Sequence, residues 1–512
     1  MRVLFVFPDL SSNVTNYTGV LSYGVGLLAA VLRGDGHDVF LYHITRDPTQ
    51  EEFKERVRAA RPDLIAFSAI SHYARRLRTW TTWAREATGA AVVVGGVHAT
   101  HAPEEVSSMP DVDFTCVGEG EEALRELCEV LSHGGEPSSI PSFWARRGDE
   151  VVQNPPRPIL DDLDRLPDPD FSRFDVPGLY TARQGTFTYL MSRGCAFRCT
   201  YCSAHTLMRV APRTGKFWRF LSPERAATQI ARLIRTYLPT AQLVSFGDAI
   251  FIPNRKWLAE FVPLYKRHVG LPASCNMRAD LVHEDTAEML RDLGVRTVRM
   301  GVESGNQHMT REVLLRNLDV ADLRRAYRLL RDVGIQRWSY NIVGLPTETL
   351  PMALETVRLN AEIDPELALA FIFYPYPGTD LHRLCKERGL LTDREYDHYK
   401  VGVTIRQSQF KDGDILFVHR FFKRLIRLYQ GASRLPGPLA RLAPRGLDLT
   451  LTSPLLPRGA IVALWEGYGR VRHAAGEAIV ARSPRLYRWL GGRAPMARAT
   501  PASLEGLARA DA

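Results

Sequence analysis

The stretch Met191-Ser-Arg-Gly-Cys195-Ala-Phe-Arg-Cys199-Thr-Tyr-Cys202 constrains this chain more than any other. Three residues separate the first two cysteines and two separate the next pair, so one short loop can wrap three thiolates around a single compact metal centre. Such spacing suits a cubic iron-sulfur cluster. Three sulfurs leave one iron of that cluster open, and an open metal position is where a protein does chemistry instead of bracing itself. The competing reading is a zinc site completed by His205 or Cys275, although zinc sites more often come as paired Cys-x-x-Cys units. Upstream, Thr186 to Met191 reads as a buried strand. The loop then sits at a strand's C-terminal end, where barrel enzymes carry their active sites.

Residues 1–135 alternate short apolar runs with helical sequence. Val3–Phe7, Val39–Tyr42, Leu64–Ile70, Ala91–Val94 and Phe114–Val117 predict the strands of a doubly wound parallel sheet. A helix near Ser22 to Leu32 stops at Gly34-Asp-Gly36. Ligands on such sheets bind at the strands' C-terminal edge, here Asp9 to Gly19, Ser68 to Tyr73, Gly95-Gly-Val-His98 and Gly118-Glu-Gly-Glu121. Residues 136–183 hold Asn154-Pro-Pro-Arg-Pro158 and the acidic run Asp161 to Asp170, which predicts an extended, ordered linker.

From 184 to about 380 the alternation resumes with a repeat. Arg291-Asp-Leu-Gly-Val295 and Arg331-Asp-Val-Gly-Ile335 lie 40 residues apart, each closing a helix before a new strand. Strands fit at 186–191, 243–247, 273–277, 297–302, 338–343 and 368–374, which makes six βα units and a partial barrel. Polar residues fall at the strand ends: Asp248, Arg278 with Asp280, Glu303 with Ser304, and Gly344 with Leu345. Taken singly, each is also explained as a capping or ion-pairing group.

Two families resemble these segments. The cysteine loop, with Phe197 inside it and Tyr201 before its last cysteine, resembles the cluster loop of the radical S-adenosylmethionine (SAM) enzymes. The resemblance implies that Cys195, Cys199 and Cys202 hold a 4Fe-4S cluster and that SAM chelates the fourth iron through its amino and carboxylate groups. Ser68-Ala-Ile70, Gly95-Gly96 and Gly118-Glu119-Gly120 resemble the cobalamin-binding domain that precedes many radical SAM cores. There they border the nucleotide tail, where glycine lets the backbone approach closely. Asp9-Leu-Ser-Ser-Asn13 stands where a cobalt-ligating Asp-x-His-x-x-Gly would lie, which implies cobalamin bound without histidine ligation. His98 is then a loop histidine beside the nucleotide or a solvated one.

Only Cys116 and Cys128 occur in the N-terminal region, and only Cys275 and Cys385 after the loop, so neither a second triad nor auxiliary clusters are expected. Phe246-Gly-Asp248 takes the place of the family's methionine-amino-binding motif without its usual Gly-Gly-Glu. Glu303-Ser-Gly305 and Tyr374-Pro-Tyr-Pro-Gly-Thr379 resemble signatures of the cobalamin-linked members. SAM needs a cation for its carboxylate, acceptors for its amine and ribose, and an apolar wall for adenine. Arg278, Glu303, and Gly344 with Leu345 meet those needs in that order.

The expected architecture is α/β: a Rossmann-like cobalamin-binding domain (1–135), a linker (136–183), a partial (β/α)6 radical SAM barrel (184–380), a helical cap (381–492) and a disordered tail (493–512). The expected activity is methyl transfer to an unactivated carbon of a lipid-like or secondary-metabolite small molecule. A carbon without an acidic proton cannot attack SAM, so in the family's mechanism reductive cleavage of SAM first yields a deoxyadenosyl radical, and methylcobalamin then supplies the methyl group. Oxidative ring closure without net methylation is the alternative within enzymes; a cobalamin and cluster sensor or electron-transfer module is the alternative outside them. An electron donor such as a flavodoxin or ferredoxin is implied.

Charge narrows the partners. The chain's net charge is +9, and residues 401–512 carry 18 lysines and arginines against 7 acids, so that tail holds +11 and the remainder −2. Nucleic-acid binding by the catalytic body is disfavoured. Seven cysteines, three of them in one loop, make a poor disulfide framework, and a thiolate-held cluster needs a reducing compartment, which points to the cytoplasm. The start, Arg2 to Asp9, is too short an apolar run for a signal peptide, and no run approaches the roughly 18 residues that span a bilayer. Ile415 to Tyr429 predicts an amphipathic basic helix, read as a cap with a solvated face or as a peripheral membrane contact.

Overall fold

A computed structural model describes residues 1–11, 17–210, 216–392 and 402–468, without the side chains of 205 and 206. It divides into two compact units: 1–298 with 333–335 and 375–384, and 299–332 with 336–374 and the chain from 385 on. The tail expected at 493–512 lies outside the described residues, as do residues 12–16 of the loop after Asp9.

The first unit opens on a seven-stranded sheet: β1 (Arg2–Pro8), β2 (Asp38–Ile44), β3 (Leu64–Ser68), β4 (Ala91–Gly95), β5 (Phe114–Cys116), β6 (Phe143–Arg147) and β7 (Glu150–Gln153), in the order β2-β1-β3-β4-β5-β6-β7. β1 pairs in parallel with both β2 (Val3 opposite Val39) and β3 (Val3 opposite Leu64), so the winding reverses beside β1. That is the switch point at which doubly wound sheets hold ligands.

Side chains alternate across the pleat. Leu4, Val6, Ile65, Phe67, Val92 and Val94 turn to one face and pack on Phe53 and Val57 of helix Gln50–Ala60 and on Leu77, Trp80 and Ala84 of helix Ala74–Thr88. Burying each such side chain contributes about 1.5–3 kcal/mol before chain entropy is subtracted. Phe5, Ala66 and Val93 turn the other way. With Leu27 of helix Tyr23–Gly34 and Leu124 of helix Glu121–Ser132 they line a cavity.

The segment expected as linker departs from that reading at its start. β6 and β7 form an antiparallel hairpin (Trp144 opposite Gln153) that extends the sheet from β5 (Cys116 opposite Phe143). Alternation in Phe143-Trp-Ala-Arg146 carries this, and the prolines that follow mask it. The rest is an ordered strap, and three of its acids tie it to neighbouring helices. Asp164 accepts from the Ser222 amide (2.9 Å), Asp168 pairs with Arg225 and Arg232 (2.8 Å each), and Asp170 pairs with Arg33 (2.5 Å). The Asp170 amide donates to Gly26 of helix Tyr23–Gly34 (2.9 Å), and Phe171 behind it is fully buried.

The first unit continues with β8 (Thr186–Tyr189), β9 (Ser192–Arg193), β10 (Arg219–Phe220), β11 (Leu243–Phe246) and β12 (Ala273–Met277). β11 lies between β8 and β12, both parallel to it, while β9 and β10 form a short antiparallel pair (Arg193 opposite Arg219). β13 (Val295–Glu303) begins in the first unit and ends in the second, which also holds the parallel pair β14 (Gln336–Val343) and β15 (Leu367–Ile372). These six, β8 and β11 to β15, stand where the six barrel strands were expected.

In the second unit, helix Asp412–Ser433 buries Ile415, Val418, Phe422, Leu425 and Tyr429 against Val343, Leu354 and Val357. Its apolar stripe is thus a core element. Among the described residues no helix is long and apolar enough to cross a membrane.

The docked strap is testable at Gly26, where a Cβ would stand 2.3 Å from the Phe171 ring and 3.2 Å from Pro169. Glycine to alanine in an exposed helix gains about 1 kcal/mol. Gly26→Ala should instead lower stability by about 1–3 kcal/mol in urea melts, the cost of overpacking.

Candidate active site

The cysteine loop leaves β8 through Leu190–Gly194. Because β11 pairs with β8 in register (Phe246 opposite Tyr189), the residues just past both strand ends meet. There the Asp248 Oδ1 accepts hydrogen bonds from the Met191 amide (3.0 Å), the Ser192 amide (2.7 Å) and the Ser192 hydroxyl (2.5 Å). Asn276 donates to the Asp248 carbonyl (2.8 Å). Burial pushes the Asp248 carboxyl up to about 7 despite these donors, and its Oδ2 is buried with no partner among the described residues. Gly194 adopts φ +79°, and a Cβ there would lie 2.3 Å from the Phe217 carbonyl, so the position before Cys195 requires glycine.

Cys195, Cys199 and Cys202 are half-buried, and the Cys202 amide closes a turn on the Cys199 carbonyl (3.1 Å). Tyr201 is half-buried between the last two. Among the described residues no three His, Cys, Asp or Glu side chains stand close enough for a single metal ion. A cubane is larger, since each thiolate binds its own iron. The Phe197 ring lies 4.0 Å under the Arg278 guanidinium, whose Nε donates to both Asp280 oxygens (2.8 and 3.0 Å). Cys275, the sulfur of the zinc alternative, is fully buried within β12.

The cavity, about 530 Å³, lies within the first unit. One wall is the sheet edge: Ser68, Gly95, Gly96, and Gly118-Glu119-Gly120. Gly96 has φ +95°, and a Cβ would stand 2.7 Å from the Ala69 carbonyl; at Gly118, φ +97°, a Cβ would meet nothing within 4 Å. Leu190–Gly194, the residues that lead directly into Cys195, form another part of the lining.

Two arginines that the sequence reading passed over join these two parts. Glu119 pairs with Arg219 (2.7 Å) and Arg193 (3.2 Å), and Arg193 also pairs with Glu121. Arg219 donates to the Leu160 carbonyl (2.5 Å). Burial works to raise the Glu119 carboxyl, but Arg219 and Arg193 outweigh it and hold the group below its ordinary value. The partners lie roughly 75 to 100 residues apart, so no local spacing announces them; the one signal was a basic residue abutting the loop, in Ser192-Arg-Gly194.

In the second unit, Glu303 sits at φ +62°, a left-handed conformation that a non-glycine residue adopts under strain, and pairs with buried Arg316 (2.9 Å). A Cβ on Gly301 would lie 2.2 Å from Glu303 Oε1, so glycine makes room for that pair. Gly344 (φ +84°) and Leu345 donate their amides to Glu348 Oε2 (2.6 and 3.0 Å).

Two family models match this chain: "B12 binding domain" over residues 17–128 and "Radical SAM superfamily" over 189–359. The chain is a radical SAM protein with a B12-binding domain. It is 27% identical over 407 residues to an uncharacterized methyltransferase of Pyrococcus horikoshii, covering 78% of this chain and 86% of that one. An anaerobic magnesium-protoporphyrin IX monomethyl ester cyclase of Rubrivivax gelatinosus is 25% identical, with coverage of 74% and 69%. The fold matches that of the radical SAM methyltransferase TsrM from Kitasatospora setae, solved with cobalamin and a [4Fe-4S] cluster (TM-score 0.61, 19% identity, 76% and 79% covered).

In this radical SAM protein several of the expected site residues lie off the cavity wall. His98 is neither solvated nor on the cavity wall: it is buried in helix Val97–His101 with Nδ1 3.3 Å from the Ser71 hydroxyl, and burial lowers it to about 4. Ile70 is exposed and also off the wall, because β3 ends at Ser68 and the chain turns. Ser304 is fully buried and binds the Asn306 amide (3.2 Å), which makes it a turn-former. Leu345 is fully buried inside the turn around Glu348. Arg278 is engaged by Asp280 and Phe197, so a carboxylate would have to share it.

Two predictions follow from these charges. Glu119→Gln leaves Arg219, 4% exposed, without its counter-charge and should cost about 2 kcal/mol in urea unfolding. Burial raises the Glu348 carboxyl from its ordinary 4.5 to about 8. A group raised on folding stabilises fully below its unfolded value and loses that contribution as pH climbs through the folded value. The melting temperature should therefore fall from about pH 4.5 to about pH 8, and Glu348→Gln, which keeps the acceptor and cannot ionise, should flatten that fall.

Proposed function

We propose that the protein is a cobalamin-dependent radical SAM methyltransferase that methylates an unactivated carbon of a small, apolar molecule. The observation that carries this reading is the shared cavity, which is lined both by glycine edges of the B12-binding domain and by the residues leading into Cys195. A methyl carrier and a radical source are of joint use only when both serve one substrate.

In this reading Cys195, Cys199 and Cys202 hold the cluster. Ser68, Gly95, Gly96, Gly118 and Gly120 flank the cobalamin tail, whose flat apolar base suits a cavity lined by Phe5, Leu27, Ala66 and Leu124. Bound there, the cofactors supply one-electron cleavage of SAM and a transferable methyl group. The chain's own groups position and exclude. Asp248 fixes the exit of the loop from β8. Phe197 and Arg278 brace the loop's middle. Arg193 and Arg219, neutralised by Glu119 and Glu121, tie the loop's root to the B12-binding domain. Electrons come from a small carrier of the flavodoxin or ferredoxin kind, in the cytoplasm, where thiolates stay reduced.

A cyclase among the relatives favours one further reading, oxidative ring closure without net methylation. Anaerobic reconstitution with iron, sulfide and cobalamin, followed by mass spectrometry of extracts from cells with and without the gene, separates the two. The methyltransferase reading expects a product heavier by one methylene and loss of deoxyadenosine formation in Cys199→Ala. Deoxyadenosine with no methylated product would favour ring closure; SAM binding without cleavage would favour a sensor.

A further inference from the structure

Helix Leu439–Thr452 of the second unit has two apolar faces. At 100° per residue, Leu447 and Leu451 fall together and turn inward: Leu451 is buried and Leu447 packs on the core that holds Phe422 and Tyr429. Leu439, Leu442 and Leu449 fall within about 80° of one another, centred about 150° away from that pair. They are 52%, 56% and 74% exposed, and flanking Leu435 and Leu455 are 42% and 90% exposed. Asp448, on the side between, is held by Arg358 and Tyr429, which fixes the helix's rotation.

Charge says what could cover this face. Residues 434–447 contain Arg434, Arg441 and Arg445 and no acid. Residues 469–512 carry 8 arginines against 3 acids, so the chain's own end is as basic as the face, and a second copy would bring the same arginines against themselves. Like charges opposed in this way work against association. A nucleic acid offers the right charge but nothing for five leucines. An anionic bilayer offers both: an apolar layer for the leucines and headgroups for arginines whose stems lie along the interface.

We propose that the face formed by Leu435, Leu439, Leu442, Leu449 and Leu455 with Arg434, Arg441 and Arg445 seats the protein on the surface of an anionic membrane. It lies on the bilayer and does not cross it. The inference is independent of the reaction assigned above and stands or falls on binding alone.

Co-sedimentation of the full chain tests it, with vesicles of mixed phosphatidylglycerol and phosphatidylcholine against vesicles of phosphatidylcholine. Binding should be at least about ten-fold stronger on the anionic vesicles and weaken with salt. The triple variant Leu439→Ser, Leu442→Ser, Leu449→Ser should keep the wild-type melting temperature, since these side chains are exposed, and lose about ten-fold in binding. Arg434→Gln, Arg441→Gln, Arg445→Gln should lower binding and remove its salt dependence. Three results would overturn the proposal: no binding to anionic vesicles, undiminished binding of the leucine variant, or light scattering that shows a dimer abolished by the leucine substitutions.

Discussion

The carboxylate of Asp248 holds the root of the cysteine loop, and the remainder of the site depends on that grip. Three donors from Met191 and Ser192 converge on one of its oxygens, at the point where β8 ends and the loop begins. A loop of small spacing cannot position three thiolates unless its entry is fixed, because each additional free backbone torsion at the root multiplies the arrangements its tip can adopt. The parallel register of β8 and β11 brings Asp248 there, and the asparagine on β12 holds it from the other side. In its observed contacts Asp248 supports the loop that carries the cysteines.

That support extends into the B12-binding domain. Glu119 in the loop after β5 and Glu121 at the start of the helix that follows neutralise Arg193 and Arg219 on the short β9–β10 pair. Ion pairs this buried add little net stability against an apolar replacement. They do impose register: removing one partner strands a charge, so the loop beside the cavity and the loop that carries the cysteines are held to a single arrangement.

Much of this was legible because it is local. The cysteine spacing, the apolar runs of both βα series, and Gly95-Gly96 with Gly118-Glu-Gly120 are short patterns with one physical meaning each, and β1 to β5 and all six later strands lie where those patterns put them. What escaped was non-local or disguised. Arg193 and Arg219 meet acids roughly 75 to 100 residues upstream. The β6–β7 hairpin is hidden by the prolines after it. His98, Ser304 and Leu345 belong to segments with a ligand-binding look, and they are buried because the backbone turns in the helix after Gly96, at Ser304-Gly-Asn306 and at Gly344-Leu345, turns that apolar patterning does not specify. Residue type marked these positions, and side-chain direction decided them.

The account rests on a cubane gripped by Cys195, Cys199 and Cys202 with one iron free for SAM. Electron paramagnetic resonance of the anaerobically reconstituted, chemically reduced chain tests this most directly. The account predicts about four irons and four sulfides per chain and a reduced-cluster signal whose shape changes when SAM is added. A chain that retains zinc and no iron, or a cluster signal indifferent to SAM, would contradict it.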